Sequence, residues 1–126
     1  MEQILKKHRL SLILLHGSQV DGKTHSKSDI DIAVSRKAAK DDLDLLALYA
    51  DLSKFYNSDK LDITNITHAN PLLMFTVARK SRLLAGKSDD YEAFQRKAFH
   101  RYNNYKKYFK MESDFIKERI NSYGNS

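Results

Sequence analysis

Two aspartates, Asp29 and Asp31, open a segment in which polar and apolar residues alternate as far as Val34. An apolar run, Leu10 to Leu15, and the pair Gly17–Ser18 precede them. The run is typical of a buried strand and the alternation of a half-buried strand. Side chains two residues apart in a strand share a face, so the two carboxylates repel each other unless a cation lies between them. The pattern therefore indicates a site for a hard divalent ion such as Mg²⁺.

The spacing of these residues resembles the signature of the DNA polymerase beta-like nucleotidyltransferase superfamily, in which Gly-Ser, a spacer and Asp-x-Asp follow one another. It is similar in detail to the minimal nucleotidyltransferases, whose pattern reads GSxxxGxxxxxSDxDxxV. The residues that match it are Gly17, Ser18, Gly22, Ser28, Asp29, Asp31 and Val34. The alternative interpretation is a Gly-Ser turn followed by a strand that happens to begin with acids.

A third acid, Asp62, lies in a predicted strand from Lys60 to Ile66. Leu61 and Ile63 point one way in this strand, so Asp62 points the other way. An acid buried among sheet residues without a partner would be costly, which favours a metal or another cation beside it. In the superfamily, a third aspartate on a following strand shares a metal and takes the proton of the nucleophile, and the resemblance implies this role for Asp62. The alternative is an aspartate on an edge strand that faces water.

The resemblance also implies the remaining parts of a nucleotide site. Gly17, Ser18 and Ser28 would bind the phosphates of ATP, since glycine lets the backbone approach them and a hydroxyl can donate to them. Asp29, Asp31 and Asp62 would hold magnesium, with two ions in the family mechanism. His16 stands where relatives often carry an aromatic residue, and we interpret it as a packing residue or as a support for the site.

Beyond the motif, helical periodicity and capping signals predict the other elements. We expect a short helix over 2–9, a helix over about 40–56, a helix over 72–85 with Gly86 as its C-terminal cap, and a last helix from Ser88 to about Ile120. Strands separated by helices predict an α+β or α/β fold, and the resemblance implies a small mixed sheet covered by helices. The 126 residues are expected to form one domain, with a catalytic core over about 1–68 and a helical part over about 70–122.

Composition limits the other classes of function. The chain has no cysteine, which excludes a disulfide framework and a thiol nucleophile. It has no apolar run of the ~20 residues that a membrane helix needs, and we expect a cytoplasmic protein. The formal net charge of +6 favours acidic partners or nucleotides. In the last helix, basic residues alternate with aromatic ones, and their spacing favours a core and partner-binding helix over a surface for direct nucleic-acid binding.

Among nucleotidyltransferases, the short chain and long C-terminal helices look like the MntA-type antitoxins, which are encoded beside a HEPN-domain toxin, usually a ribonuclease. That resemblance implies transfer of AMP from ATP to a tyrosine of the toxin. Two alternatives stay open. One is a small-molecule nucleotidyltransferase of the aminoglycoside-modifying type. The other is an antitoxin that acts by binding alone, for which three placed aspartates would be unnecessary.

Overall fold

The computed structural model describes residues 1–17, 29–38 and 42–124, with side chains as far as residue 121. Four helices and four strands lie in these ranges. In chain order they are α1 (Glu2–Lys7), β1 (Leu10–His16), β2 (Ile30–Arg36), α2 (Leu45–Tyr56), β3 (Leu61–Asn65), α3 (Pro71–Arg79), β4 (Ser81–Gly86) and α4 (Ser88–Gly124). The predicted α+β class with a small mixed sheet and a long C-terminal helix is confirmed.

The strands form one sheet in the order β3-β2-β1-β4. β1 pairs antiparallel with both β2 and β4, whereas β2 pairs parallel with β3. The parallel pair requires a crossover connection, and α2 provides it. Because β1 and β2 lie in the middle of the sheet, the polar residues His16 and Asp31 have a neighbouring strand on both sides.

Helices cover both faces of the sheet, and each face has its own core. On one face, α3 and α4 pack against residues of β1 and β2 that include Leu14 and Ala33. On the other face, α2 packs against Ile13, Ile32 and Val34, with residues of α1 beside them. Every second residue of β2 therefore faces α3 and α4, and this alternation places the side chain of Asp31 on the same face as Ala33.

The helix predicted over 72–85 is wrong in its second half. α3 ends at Arg79 and the chain continues as strand β4. Leu and Ala favour a helix locally, but β4 satisfies the backbone groups on the open side of β1, and this tertiary pairing outweighs local propensity. Gly86 does not cap a helix: it ends β4 with φ +119°, where a Cβ atom would lie 2.4 Å from the Ser11 carbonyl oxygen.

The predicted starts of α3 and α4 are confirmed, whereas α2 starts later than predicted. The side chain of Asn70 accepts a hydrogen bond from the Leu73 amide at the start of α3, and α4 begins at Ser88. α2 begins at Leu45 rather than near residue 40, because Asp44 serves as its N-cap. Among the described residues, none of the helices combines the length and hydrophobicity that crossing a bilayer requires.

Candidate active site

A row of polar residues crosses one end of the sheet. His16 at the end of β1 is in register with Asp31 on β2 and with Ser81 at the start of β4. Asp31 is in turn in register with Asp62 on β3. Residues directly opposite one another on neighbouring strands have adjacent side chains on the same face. The row therefore runs Asp62, Asp31, His16, Ser81, and by strand parity it lies on the face that α3 and α4 cover.

Asp29 and Asp31, the two carboxylates predicted at the start of the second strand, differ in environment. Asp29 precedes the first residue of β2 and is exposed, whereas Asp31 is half-buried. Burial raises the pKa of Asp31, His16 opposes this rise, and the charges of Asp62 and Asp29 add to it. The neighbouring carboxylates thus disfavour the charged state of Asp31, which is the repulsion that the spacing of the acids predicts and that a cation would relieve.

Gly17 approaches Asp31 more closely than any other residue type could. Its φ is +80°, and a Cβ atom built on it would lie 2.7 Å from Oδ2 of Asp31. The Gly17 amide donates a hydrogen bond to the carbonyl oxygen of Lys80, at 3.2 Å. This glycine is therefore held by the residue just before β4, while the position of its missing Cβ is occupied by the carboxylate of Asp31, and glycine is needed for both its φ and this close approach.

His16, which the sequence predicts to be a packing residue or a support for the site, lies beside Asp31 in the polar row. Its Nε2 is buried and has no hydrogen-bond partner among the residues that the structure describes. Burial lowers the pKa of His16, and the charges of Asp31 and Asp62 oppose that change. A buried nitrogen without a partner is rare in a folded protein and calls for an explanation, which a bound group can supply. The signal that sequence reasoning missed is the strand register, which aligns His16 with the half-buried Asp31.

Ser81 links the row to α4. Its Oγ lies 2.7 Å from the hydroxyl oxygen of Tyr91, and that hydroxyl donates to the Ser81 carbonyl oxygen at 2.9 Å. Tyr91 is in the first turns of α4, so the helix holds the start of β4 beside His16. Neither residue was predicted from the sequence, because the strand that contains Ser81 was expected to be helical.

Asp62 lies beside Asp31, in keeping with the role that the family resemblance implies for it, but the prediction that it is buried, which favoured a cation beside it, is wrong. The side chain of Asp62 is exposed on the edge strand β3 rather than buried. Its proximity to a cation site therefore rests on the register with Asp31 alone. The predicted phosphate-binding residues Ser18 and Ser28 lie outside the described residues.

The described part of this site fits a magnesium ion that shares its ligands with a substrate. Within residues 1–17, 29–38 and 42–124, no three histidine or acidic side chains form a cluster that holds a metal alone. Mg²⁺, however, is usually bound by one or two carboxylates together with water and substrate phosphates. Asp31 and Asp62 provide hard oxygen donors on adjacent strands, and the charge of Asp62 raises the pKa of Asp31, a repulsion that a cation between them would relieve.

Comparison with known proteins gives the same family as the sequence motif. The family model "Polymerase beta, Nucleotidyltransferase" matches residues 1–90. The protein adenylyltransferase MntA of Shewanella oneidensis is 32% identical over 96 residues, which span 76% of this chain and 68% of that protein.

Two solved structures are similar over most of both chains. A crystal structure of a toxin-antitoxin with AMP-PNP contains a chain with 28% identity and a TM-score of 0.73, covering 90% of this chain and 93% of that one. A complex of the tri-AMPylated HEPN toxin of Shewanella oneidensis with its MNT antitoxin gives 27% identity and a TM-score of 0.64, covering 90% of each chain.

The family match includes all four strands, and therefore the whole polar row and the glycine that faces Asp31. Carboxylates that bind a divalent metal ion are a means of catalysing nucleotidyl transfer, and here Asp31 and Asp62 lie on neighbouring strands with Gly17 against Asp31. This chain belongs to the polymerase beta nucleotidyltransferase family and is an enzyme of that class.

Proposed function

We propose that this protein is an antitoxin that transfers AMP from ATP to a tyrosine of a cognate HEPN-family ribonuclease toxin and thereby neutralises it. The observation that carries the proposal is the alignment of Asp31 with Asp62, with Gly17 against the Asp31 carboxylate. The relatives named for protein adenylyl transfer, and the toxin complexes among the similar structures, support the acceptor. We also infer a cytoplasmic location, because ATP is the proposed substrate.

The residues of the site have distinct proposed roles. Asp29, Asp31 and Asp62 would hold magnesium together with the phosphates of ATP, with two ions in the complete site. Bound magnesium would neutralise negative charge on the phosphates of ATP. Gly17 brings the backbone close to the phosphates, and Ser18 and Ser28 add hydroxyl donors to them. We assign His16 to the same site, because it is in register with Asp31 and its buried Nε2 has no hydrogen-bond partner in the described part of the chain.

The chemical step is a substitution at phosphorus. The hydroxyl oxygen of the toxin tyrosine attacks the α-phosphorus of ATP, and the bond from this phosphorus to the oxygen that bridges to the β-phosphate breaks. Pyrophosphate leaves with the electron pair of that bond, and the tyrosine proton passes to a carboxylate of Asp62. An exposed Asp62 on an edge strand suits this role, because the hydroxyl of another protein can reach it.

The first test is the intact mass of the HEPN-domain protein encoded next to this chain, after incubation with the chain, ATP and Mg²⁺. We would compare the wild type with the double variant Asp29→Asn/Asp31→Asn. The matched control is Asp42→Asn, which makes the same chemical change at an exposed position before α2. We expect adenylate-sized additions with the wild type and the control, and none with the double variant.

The other outcomes separate the alternatives. Additions that persist in the double variant would contradict the metal-binding role of the two aspartates. A stable complex without any addition would favour neutralisation by binding alone. Transfer to an aminoglycoside but not to the toxin would favour the small-molecule enzyme, for which no feature of the described residues provides a specific argument.

A further inference from the structure

The distal half of α4, residues 103–121, has a different environment from the proximal half. In the proximal half, Phe94 and Ala98 are buried in the core, and Tyr102 stacks on Phe75 of α3 with ring centroids 3.8 Å apart. From residue 103 to residue 121 every side chain is exposed, apart from the half-buried Ser113. These 19 positions correspond to about 28 Å of helix at ~1.5 Å per residue.

This exposed half is rich in large apolar side chains. Each is at least 41% exposed. They are Tyr105, Tyr108, Phe109, Met111, Phe115, Ile116 and Ile120. Single exposed apolar residues are normal, but a contiguous apolar surface of this kind marks an interaction site in a soluble protein.

Four of these residues continue the buried face of the proximal half. Tyr105, Phe109, Ile116 and Ile120 follow Phe94 and Ala98 at helical spacing, so the same side of α4 stays apolar after the core has ended. Glu112 lies on that side midway between Tyr105 and Ile120. We call these four apolar residues and Glu112 the α4 seam.

The shape of the seam is compatible with a helical partner. A hollow of about 400 Å³ lies at its middle, lined by Phe109, Glu112, Ser113, Ile116 and Lys117. The first four are at positions i, i+3, i+4 and i+7, which is the arrangement that receives one side chain of a facing helix in knobs-into-holes packing.

Glu112 argues against a second copy of this chain as that partner. An antiparallel pairing that buries the whole seam has its two-fold axis near the middle of the seam, so Glu112 would face Glu112 of the other copy. A parallel pairing in register would also bring the two carboxylates together. Like charges that face each other across an interface destabilise it, so a different protein with a cation or donor at that place fits better.

We propose that the α4 seam docks a helix of another protein, which inserts one side chain into the hollow and presents a hydrogen-bond donor or cation to Glu112. This inference rests on the proposed function in one respect: the partner is taken to be the HEPN-domain toxin. It adds that the toxin is held along α4, so that recognition and transfer use different parts of the chain.

The test measures affinity for the toxin and adenylate transfer side by side. The variants Phe109→Glu and Ile116→Glu put a charge into the hollow, and Asn103→Glu makes the matched charge change at an exposed position on the opposite side of α4. Titration calorimetry gives the Kd for the toxin, and intact mass gives the transfer. We expect each seam variant to raise the Kd by about 30-fold or more, as loss of a binding hot spot does, and the control to leave it unchanged.

Two further measurements show that a loss of affinity is specific to docking. Binding of AMP-PNP and the thermal midpoint should be the same in the seam variants and the wild type, because Phe109 and Ile116 contact neither the core nor the polar row. The variant Glu112→Leu should make the chain associate with itself in light scattering and weaken the complex with the toxin, because it removes the charge that opposes self-pairing.

The proposal fails if the seam variants bind the toxin as tightly as the wild type does. It also fails if the wild-type chain is already a dimer that Phe109→Glu dissociates. In the first case, adenylation of the toxin by the wild type would leave the proposed function intact. If the wild type neither binds nor modifies the toxin, the proposed function and the docking proposal both fail.

Discussion

Replacing Gly17 by alanine should separate the contribution of this glycine to transfer from its contribution to folding. The new Cβ atom would lie 2.7 Å from Oδ2 of Asp31, and ordinary contact begins at about 3.4 Å. The carboxylate must therefore move by roughly 0.7 Å or rotate away. Because the atom that must move ends a short side chain, relief is easy for the fold, but it displaces the group proposed to bind the metal.

The expected magnitudes follow from this geometry. An alanine at φ +80° costs about 1–2 kcal/mol of folding free energy, since an L side chain is disfavoured in the left-handed region. For a domain of this size, that lowers the thermal midpoint by ~5 °C. A misplacement that approaches 1 Å at a reacting centre can reduce the rate by about 10²-fold. We therefore expect a modest loss of stability and a large loss of transfer.

Gly86→Ala is the matched control, because it also adds a methyl group to a glycine with positive φ. Its Cβ atom would lie 2.4 Å from the backbone oxygen of Ser11, which cannot rotate away. Gly86 is the last residue of β4, and the five residues back to Ser81 separate it from the polar row by about 17 Å. This variant should lose more stability than Gly17→Ala and keep its transfer activity once folded.

The assay is the initial rate of adenylate addition to the toxin, measured by intact mass at a temperature below the thermal midpoints of both variants. Circular dichroism at that temperature confirms that each variant is folded. The reasoning is refuted if Gly17→Ala transfers at the wild-type rate. It is also refuted if the two variants lose activity in proportion to their losses of stability, since general destabilisation would then explain both.

Three further predictions concern stability. His16→Phe should leave the thermal midpoint unchanged or raise it, because Nε2 is buried without a partner in residues 1–17, 29–38 and 42–124, and an unpaired buried nitrogen costs ~1–3 kcal/mol; a fall of several degrees would show that Nε2 is already satisfied. Hydrogen bonds from His8 and then Lys7 lower the pKa of Asp51. The ionised carboxylate therefore stabilises the fold above the ordinary pKa of 3.8, and this stabilisation is lost as the pH falls through the lowered pKa. Asp51→Asn should therefore lower the urea midpoint near neutral pH and match the wild type in strong acid, and a difference that persists in acid would contradict this. Asn70→Ala should cost about 1 kcal/mol in urea unfolding and Asn70→Asp much less, because only the alanine removes the cap of α3; equal losses would show that the cap does not matter.

The parts of this fold that the sequence predicts are those set by local periodicity. The alternation around Asp31 and Asp62 placed both acids on strands with the correct parity, and the Asn-Pro signal at Asn70 placed the start of α3. Side-chain parity follows from the period of a strand, so it can be read without knowing the strand's neighbours. The burial of Asp62 was predicted wrongly because it depends on whether β3 lies at an edge, which only the strand order determines.

Contacts between distant parts of the chain account for the rest of the site. β4 was predicted as helix, yet its first residue pairs with His16, and the carbonyl oxygen before it receives the amide of Gly17. The motif thus encodes the carboxylates and the glycine, but the conformation of that glycine is held from a strand more than sixty residues away. A chain that kept the motif and formed helix through Arg82 would lose this hydrogen bond and the partner strand of His16. The acids would remain on β2 and β3, but the backbone beside Asp31 would no longer be fixed, and so β4 is as necessary to the site as the aspartates are.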